Sequence, residues 1–284
     1  MSETQPFVTH ITETITPQLA QKYLDDNKLN RPIREWRVKL LMDDMKAGRY
    51  LENGEGGVTF DWNGNIAAGQ HTLTACIRSG TAIRCRVTRG VAPESRATMN
   101  DSMHQRFSDD LHVAGVSNSS AVESLLRKVV VWENVARENK GQGGLLTWRS
   151  YRMSRSALAA EWPTYAVGIT ATINDTKPWA EHWKGIGNRG ALQMFWWIIT
   201  EKHGYPASDA GEFLNLVIYG SQDETNKILF RKLTMKLAQN PDAARQVFWL
   251  TRAWNNWVLQ EPVTKLQEPK GGLADPYPKL RRRR

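Results

Sequence analysis

The chain has 284 residues, 40% of them apolar and 24% charged, with a formal net charge of +9. That composition is ordinary for a globular protein of one large domain or two smaller ones, and it excludes a fibrous or low-complexity chain. No run of about 18 apolar residues is present, so no transmembrane helix is expected, and two cysteines, Cys76 and Cys85, are too few for a zinc site or a disulfide framework.

In chain order, "TITPQLAQKYLDDN" opens as a helix, with Thr16 as its cap and Pro17 at its first position. "NKLNRP" at 27–32 breaks it, and "IREWRVKLLMDDMKAG" is the next helix, stopped by Gly48. "GGVTFDW" is a short strand, "NGN" a hairpin turn and "IAA" the return strand. "GQHTLTACIRSG" at 69–80 then reads as a strand-to-helix junction with its helix, and "AIRCRVTRGV" as another strand. This first third is a small α+β unit rather than a regular βαβ series. From Ser117 onward the pattern is helical, beginning with "SNSSAVESLLRKVVVWENVAREN". "KGQGG" at 140–144 reads as a flexible linker, and further helices are expected at 153–173, 190–203, 208–219, 222–239 and 241–260. The expected organisation is an N-terminal α+β domain at 10–116, a mostly α-helical domain at 117–262 and an irregular basic tail at 263–284. Ten of the 12 tryptophans follow residue 130, which predicts an aromatic helical core.

Three constellations carry chemistry. Gly69, Gln70, His71 and Thr72 stand where a strand gives way to a helix. Glycine lets a ligand approach the backbone, and the first amides and dipole of the helix favour an anion such as phosphate. Asn30-Arg31-Pro32 holds an arginine in extended conformation, and its planar fork suits phosphate oxygens. The stretch "TMNDSMHQRFSDDL" places Asp101 and Asp109 where a carboxylate could hold Mg²⁺ or act as a base. At the other end, "KLRRRR" carries five positive charges and leaves the rest of the chain at +4. Arg281, Arg282, Arg283 and Arg284 are therefore candidate phosphate contacts to nucleic acid. No Walker loop, G-x-S-x-G elbow or H-E-x-x-H pair occurs, and the six histidines show no metal-ligand spacing.

Taken in order, these motifs resemble the ParB/sulfiredoxin-like superfamily. "NRP" at 30–32 stands where that family has its proline-arginine loop, and "NGNIAAGQHTLTACIRSG" matches its phosphate box and following helix. Asp61 and Gly64, the GQH and "RAWNNW" at 252–257 are similar to phage and actinobacterial proteins with ParB-like nuclease domains. The resemblance implies a nucleoside triphosphate, CTP or ATP, bound with Mg²⁺ by Arg31, Gly69, Gln70, His71 and Thr72. His71, Asp101 and Asp109 are then the catalytic candidates and Asp101 the metal ligand. It implies a protein acting on or at DNA, as a nuclease or nucleotide-driven switch, in a bacterial host's cytoplasm with no membrane partner; a homo-oligomer stays open. A phosphotransferase of the same fold and a non-catalytic DNA-binding or assembly protein are the alternatives. Thr72 stands where the family usually has the phosphate-binding arginine. No helix-turn-helix of the partition-protein kind is legible after residue 117.

Overall fold

The computed structural model describes residues 7–27, 32–51, 57–97, 106–263, 266–270 and 272–281. The chain divides into two compact units: residues up to Arg106 together with Arg152–Ala157, and Phe107–Tyr151 together with Leu158–Arg284.

The first unit is α+β. In chain order it runs β1 (Thr9–Ile15), α1 (Pro17–Asp25), α2 (Glu35–Lys46), β2 (Val58–Asp61), β3 (Ile66–Ala68), α3 (Gln70–Ser79) and β4 (Ile83–Val91). The sheet has the order β1-β4-β2-β3. β4 pairs antiparallel with β1, from Thr9 opposite Arg89 to Ile15 opposite Ile83, and parallel with β2, with Val58 opposite Val87. Period-two alternation sends Ile83, Cys85 and Val87 of β4 into the core with Ile15, Val58, Phe60 and Ile66. Ala20, Val38, Met45, Leu73 and Cys76 from the helices close that core. Both cysteines are free and fully buried there, as small apolar residues.

Local chemistry explains the elements. The Thr16 hydroxyl accepts from the Leu19 amide and Pro17 opens α1. At the β2–β3 turn, Asp61 Oδ1 accepts from the amides of Asn63 and Asn65 at 2.9 and 2.8 Å, while Gly64 supplies φ +82°. The returning segment belongs to this unit through Ser154, whose hydroxyl donates to Asp44 Oδ1 at 2.9 Å, and Arg152, whose guanidinium lies 4.7 Å from the centre of the Trp36 ring. β1 was not expected from the sequence.

The second unit is helical: α4 (Phe107–Val113), α5 (Ser119–Glu138), α6 (Arg155–Asp175), the short α7 (Lys177–Ala180), α8 (Arg189–Trp197) continued by a π-helical turn at Ile198–Lys202, α9 (Ala207–Tyr219), α10 (Glu224–Gln239) and α11 (Ala243–Leu259). The first residues of α6 are shared with the first unit. Its core is aromatic, as the composition predicts. Trp183, Trp249 and Trp254 are fully buried, and Phe213 lies 5.3–5.6 Å from the rings of Phe195, Trp254, Phe230 and Trp257.

Two expectations are corrected here. The division falls after Arg106 rather than near 116, because α4 packs on α5: Phe107 and Leu111 are buried, and the Ser108 amide donates to Glu123 Oε2 at 2.7 Å. Residues 140–144 are not a loose linker. Gly143 and Gly144 are buried, a methyl on either would overlap the Trp132 indole or the Asp275 carboxylate, and the Gly143 carbonyl accepts from the Tyr277 amide. Among the described residues of 263–284 the backbone is irregular yet packed: Tyr277 is 1% exposed and its hydroxyl donates to the Ala244 carbonyl. No helix among the described residues is long and apolar enough to cross a membrane.

Candidate functional site

The strand-to-helix junction is built around one glycine. β3 ends at Ala68 and α3 begins at Gln70, so Gly69 alone makes the turn, with φ +105°. A Cβ at Gly69 would lie 2.9 Å from the Val58 Cα and 3.0 Å from the Gly57 carbonyl oxygen. At Gly57 it would lie 2.9 Å from the carbonyl oxygen of Arg86. Three stretches of backbone thus meet at van der Waals distance, and only glycine permits the contact. The helix that starts there closes its first hydrogen bond from the Leu73 amide to the Gly69 carbonyl at 2.9 Å. No side chain caps it. The amides of a helix's first turn have no partner inside the helix, and the dipole makes that end positive, so it suits an anion.

His71, on this turn, links the box to the other phosphate motif. Its Nε2 accepts from the Arg34 amide at 3.1 Å, two residues beyond Pro32. An imidazole nitrogen that accepts carries no proton, so the ring hydrogen sits on Nδ1. With Nε2 so engaged, the ring's other nitrogen is a donor, a chemistry that suits an anion better than it suits a general base. Gln70 and His71 are half-buried. Thr72 is 2% exposed and points into the unit's interior, so it offers little surface to a ligand, and an arginine in its place would have to bury its charge.

The structure brings Gly69, Gln70 and His71 together at one helix end and places Arg34 against them. Arg31 and Asp101 lie outside the described residues. Asp109 is exposed in the first turn of α4, in the second unit, where a carboxylate suits the helix dipole. Arg281 belongs to the second unit too. Its amide donates to Asn255 Oδ1 at 2.8 Å and its carbonyl accepts from the Tyr205 hydroxyl at 2.7 Å; Arg282, Arg283 and Arg284 lie outside the described residues. Among the described residues no group of three or more His, Cys, Asp or Glu side chains could hold a metal ion.

No family model matches the chain, and no curated protein or solved structure gives a significant match. The site therefore rests on its own geometry.

What suits an anion here is the positive end of a 10-residue helix with no side-chain cap, beside a histidine whose Nε2 is held by the Arg34 amide; the glycine contacts pack β2, β4 and the start of α3 against one another. Arg34 is the residue that sequence reasoning passed over. It acts through its backbone amide, and its signal was only its place two residues after Pro32.

Proposed function

We propose that the first unit is a ParB/sulfiredoxin-like nucleotide-binding module, that Gly69, Gln70 and His71 cradle the phosphates of a nucleoside triphosphate, and that the protein acts on or at DNA. The observation that carries this reading is the hydrogen bond from the Arg34 amide to His71 Nε2, which joins the glycine-led box to the flank of the Asn-Arg-Pro loop across 37 residues of sequence. The α+β order of the unit and the uncapped start of α3 after Gly69 support it. Arg31 would supply charge to the phosphates, and Asp101 would hold Mg²⁺, which neutralises the phosphates during any hydrolysis.

The burial of Thr72 favours a second reading, a relative that binds without turnover. The family arginine has no functional substitute at that position, and a charge-assisted contact worth about 1.5–3 kcal/mol is missing. Titrating CTP, ATP and ADP with and without Mg²⁺, and then measuring phosphate release with and without duplex DNA, separates the two. Binding with release supports the enzymatic form, binding alone supports the second, and absence of binding with every nucleotide overturns both.

A further inference from the structure

At the far end of β2 from Gly69, the first unit opens into a pocket of about 420 Å³ whose lining includes Phe7, Tyr23, Phe60, Asp61, Trp62 and Arg89. β2 begins beside Gly69 at Val58 and reaches the pocket at Phe60 and Asp61, a climb of about 10 Å. This volume lies in the range of small-ligand sites, and nothing in the nucleotide-cradle reading uses it.

The pocket's polar groups carry both signs. Arg89 Nη1 pairs with Glu13 Oε1 at 2.9 Å, and Nη2 donates to Glu13 Oε2 at 3.3 Å and to the Tyr23 hydroxyl at 2.9 Å. Its guanidinium lies 5.2 Å from the centre of the Phe60 ring and 5.8 Å from that of Tyr23. Burial works against this charge, but Glu13 and Tyr23 outweigh it and hold the Arg89 pKa above its usual value. The Arg89 Nε–H finds no acceptor among the described residues. Asp61 is 3% exposed. Its Oδ1 is spent on the turn, and its Oδ2 accepts no hydrogen bond among the described residues. Asp26 adds an exposed carboxylate to the lining. The walls include two rings left to solvent, Phe7 at 91% exposed and Trp62 at 38%.

This set discriminates among ligand classes. An anion meets Asp26 and Asp61. An alkyl cation can pair with Asp26 and Asp61 but offers no flat face to the Phe7 and Trp62 rings and no acceptor to Arg89. An aliphatic group takes Asp61 Oδ2 out of water without giving it a donor. A neutral, planar heteroaromatic ring satisfies all of them: its faces stack on Phe7 and Trp62, an amino group donates to Asp61, and a ring acceptor meets Arg89. We propose that this pocket binds a nucleobase bearing an exocyclic amino group.

The test titrates cytidine, adenosine and uridine, and the oligonucleotides (dC)6 and (dT)6, into wild type, Phe7→Ala, Trp62→Ala, the double variant, Asp61→Asn and His71→Ala, followed by calorimetry. Phe7 is so exposed that its truncation leaves the fold intact, and Asp61→Asn keeps an oxygen for the turn. Cytidine or adenosine should bind about 5-fold or more tighter than uridine. Each ring deletion should weaken binding about 5-fold or more. Asp61→Asn should erase the preference, and His71→Ala should leave it unchanged. Preference of (dC)6 over (dT)6 without nucleoside binding assigns the pocket to a base within a strand; nucleoside binding assigns it to the free base. No binding of any of them at millimolar concentration, equal affinity for uridine and cytidine, or unchanged affinity in the double ring variant overturns the proposal. Loss of binding in His71→Ala alone would move the base to the cradle and overturn it too, without touching the cradle reading.

Discussion

Lys128 on α5 is 8% exposed, with its Nζ donating to the Ser124 carbonyl at 3.0 Å and the Ser124 hydroxyl at 2.8 Å. Burial pulls its pKa down from a lysine's ordinary 10.5 to about 8. Below pH 8 both folded and unfolded chains carry the ammonium, and the folded one holds it out of water. The pKa difference makes that penalty about 3 kcal/mol. As the pH rises from about 8 toward 10.5, the folded protein releases the proton first, the unfolded chain binds more protons, and stability increases. Lys128→Met keeps the aliphatic stem and removes the ammonium and its bonds to Ser124. The variant should be more stable than wild type by about 1 kcal/mol near pH 6.5, the penalty of about 3 kcal/mol being offset by two lost hydrogen bonds of about 0.5–1.5 kcal/mol each. By about pH 10.5 the penalty is gone and only the lost hydrogen bonds remain, so the variant should become the less stable protein. Urea unfolding followed by tryptophan fluorescence at pH 6.5 and at pH 10.5 measures both values. A variant less stable at pH 6.5, or a difference independent of pH, would refute the reasoning and mean that the ammonium is well solvated in the folded chain.

Gly69→Ala forces a side chain into φ +105° and into the Val58 backbone, so it should destabilise the first unit by more than about 2 kcal/mol, whereas Gly80→Ala, at φ +68° in open space, should cost only about 1 kcal/mol; thermal unfolding of the two variants compares them. Cys76 and Cys85 are fully buried, and burial raises both thiols, Cys76 to about 11. A disulfide reagent at pH 8 should therefore modify neither in the folded chain and both after denaturation. Asp275 accepts from the Leu146 amide at 3.0 Å and from the Thr147 amide and hydroxyl at 2.8 Å each, so Asp275→Ala should cost about 2–3 kcal/mol and speed proteolytic cleavage of the segment around Tyr277.

The helices were legible wherever an apolar stripe met a cap, as at Thr16-Pro17 and along α11, whose bounds fall within two or three residues of expectation. β1 was missed because of its seven residues only Ile15 is buried, so no in–out alternation showed; its β-branched run of Thr and Ile was the available signal. The 140–144 stretch misled for a related reason. Composition reads Gly-Gln-Gly-Gly as slack, but Gly143 and Gly144 are there because Trp132 and Asp275 leave no room, and both partners are remote in sequence or outside the motif. At the candidate site, Gly69 and His71 could be read from the junction itself. The Arg34 contact could not, since it is made by a backbone amide, and neither could the inward turn of Thr72, which depends on how α3 rolls onto the sheet.

Phosphate binding at Gly69–His71 is tested by titrating Mg²⁺-CTP and Mg²⁺-ATP into wild type and His71→Ala in a calorimeter, with circular dichroism confirming that the variant is folded. Wild type should bind at least one nucleotide saturably, and His71→Ala should lose about 10-fold or more in affinity, the scale of a single hydrogen bond to a charged phosphate. No heat with either nucleotide, or equal affinity in the two proteins, would contradict it.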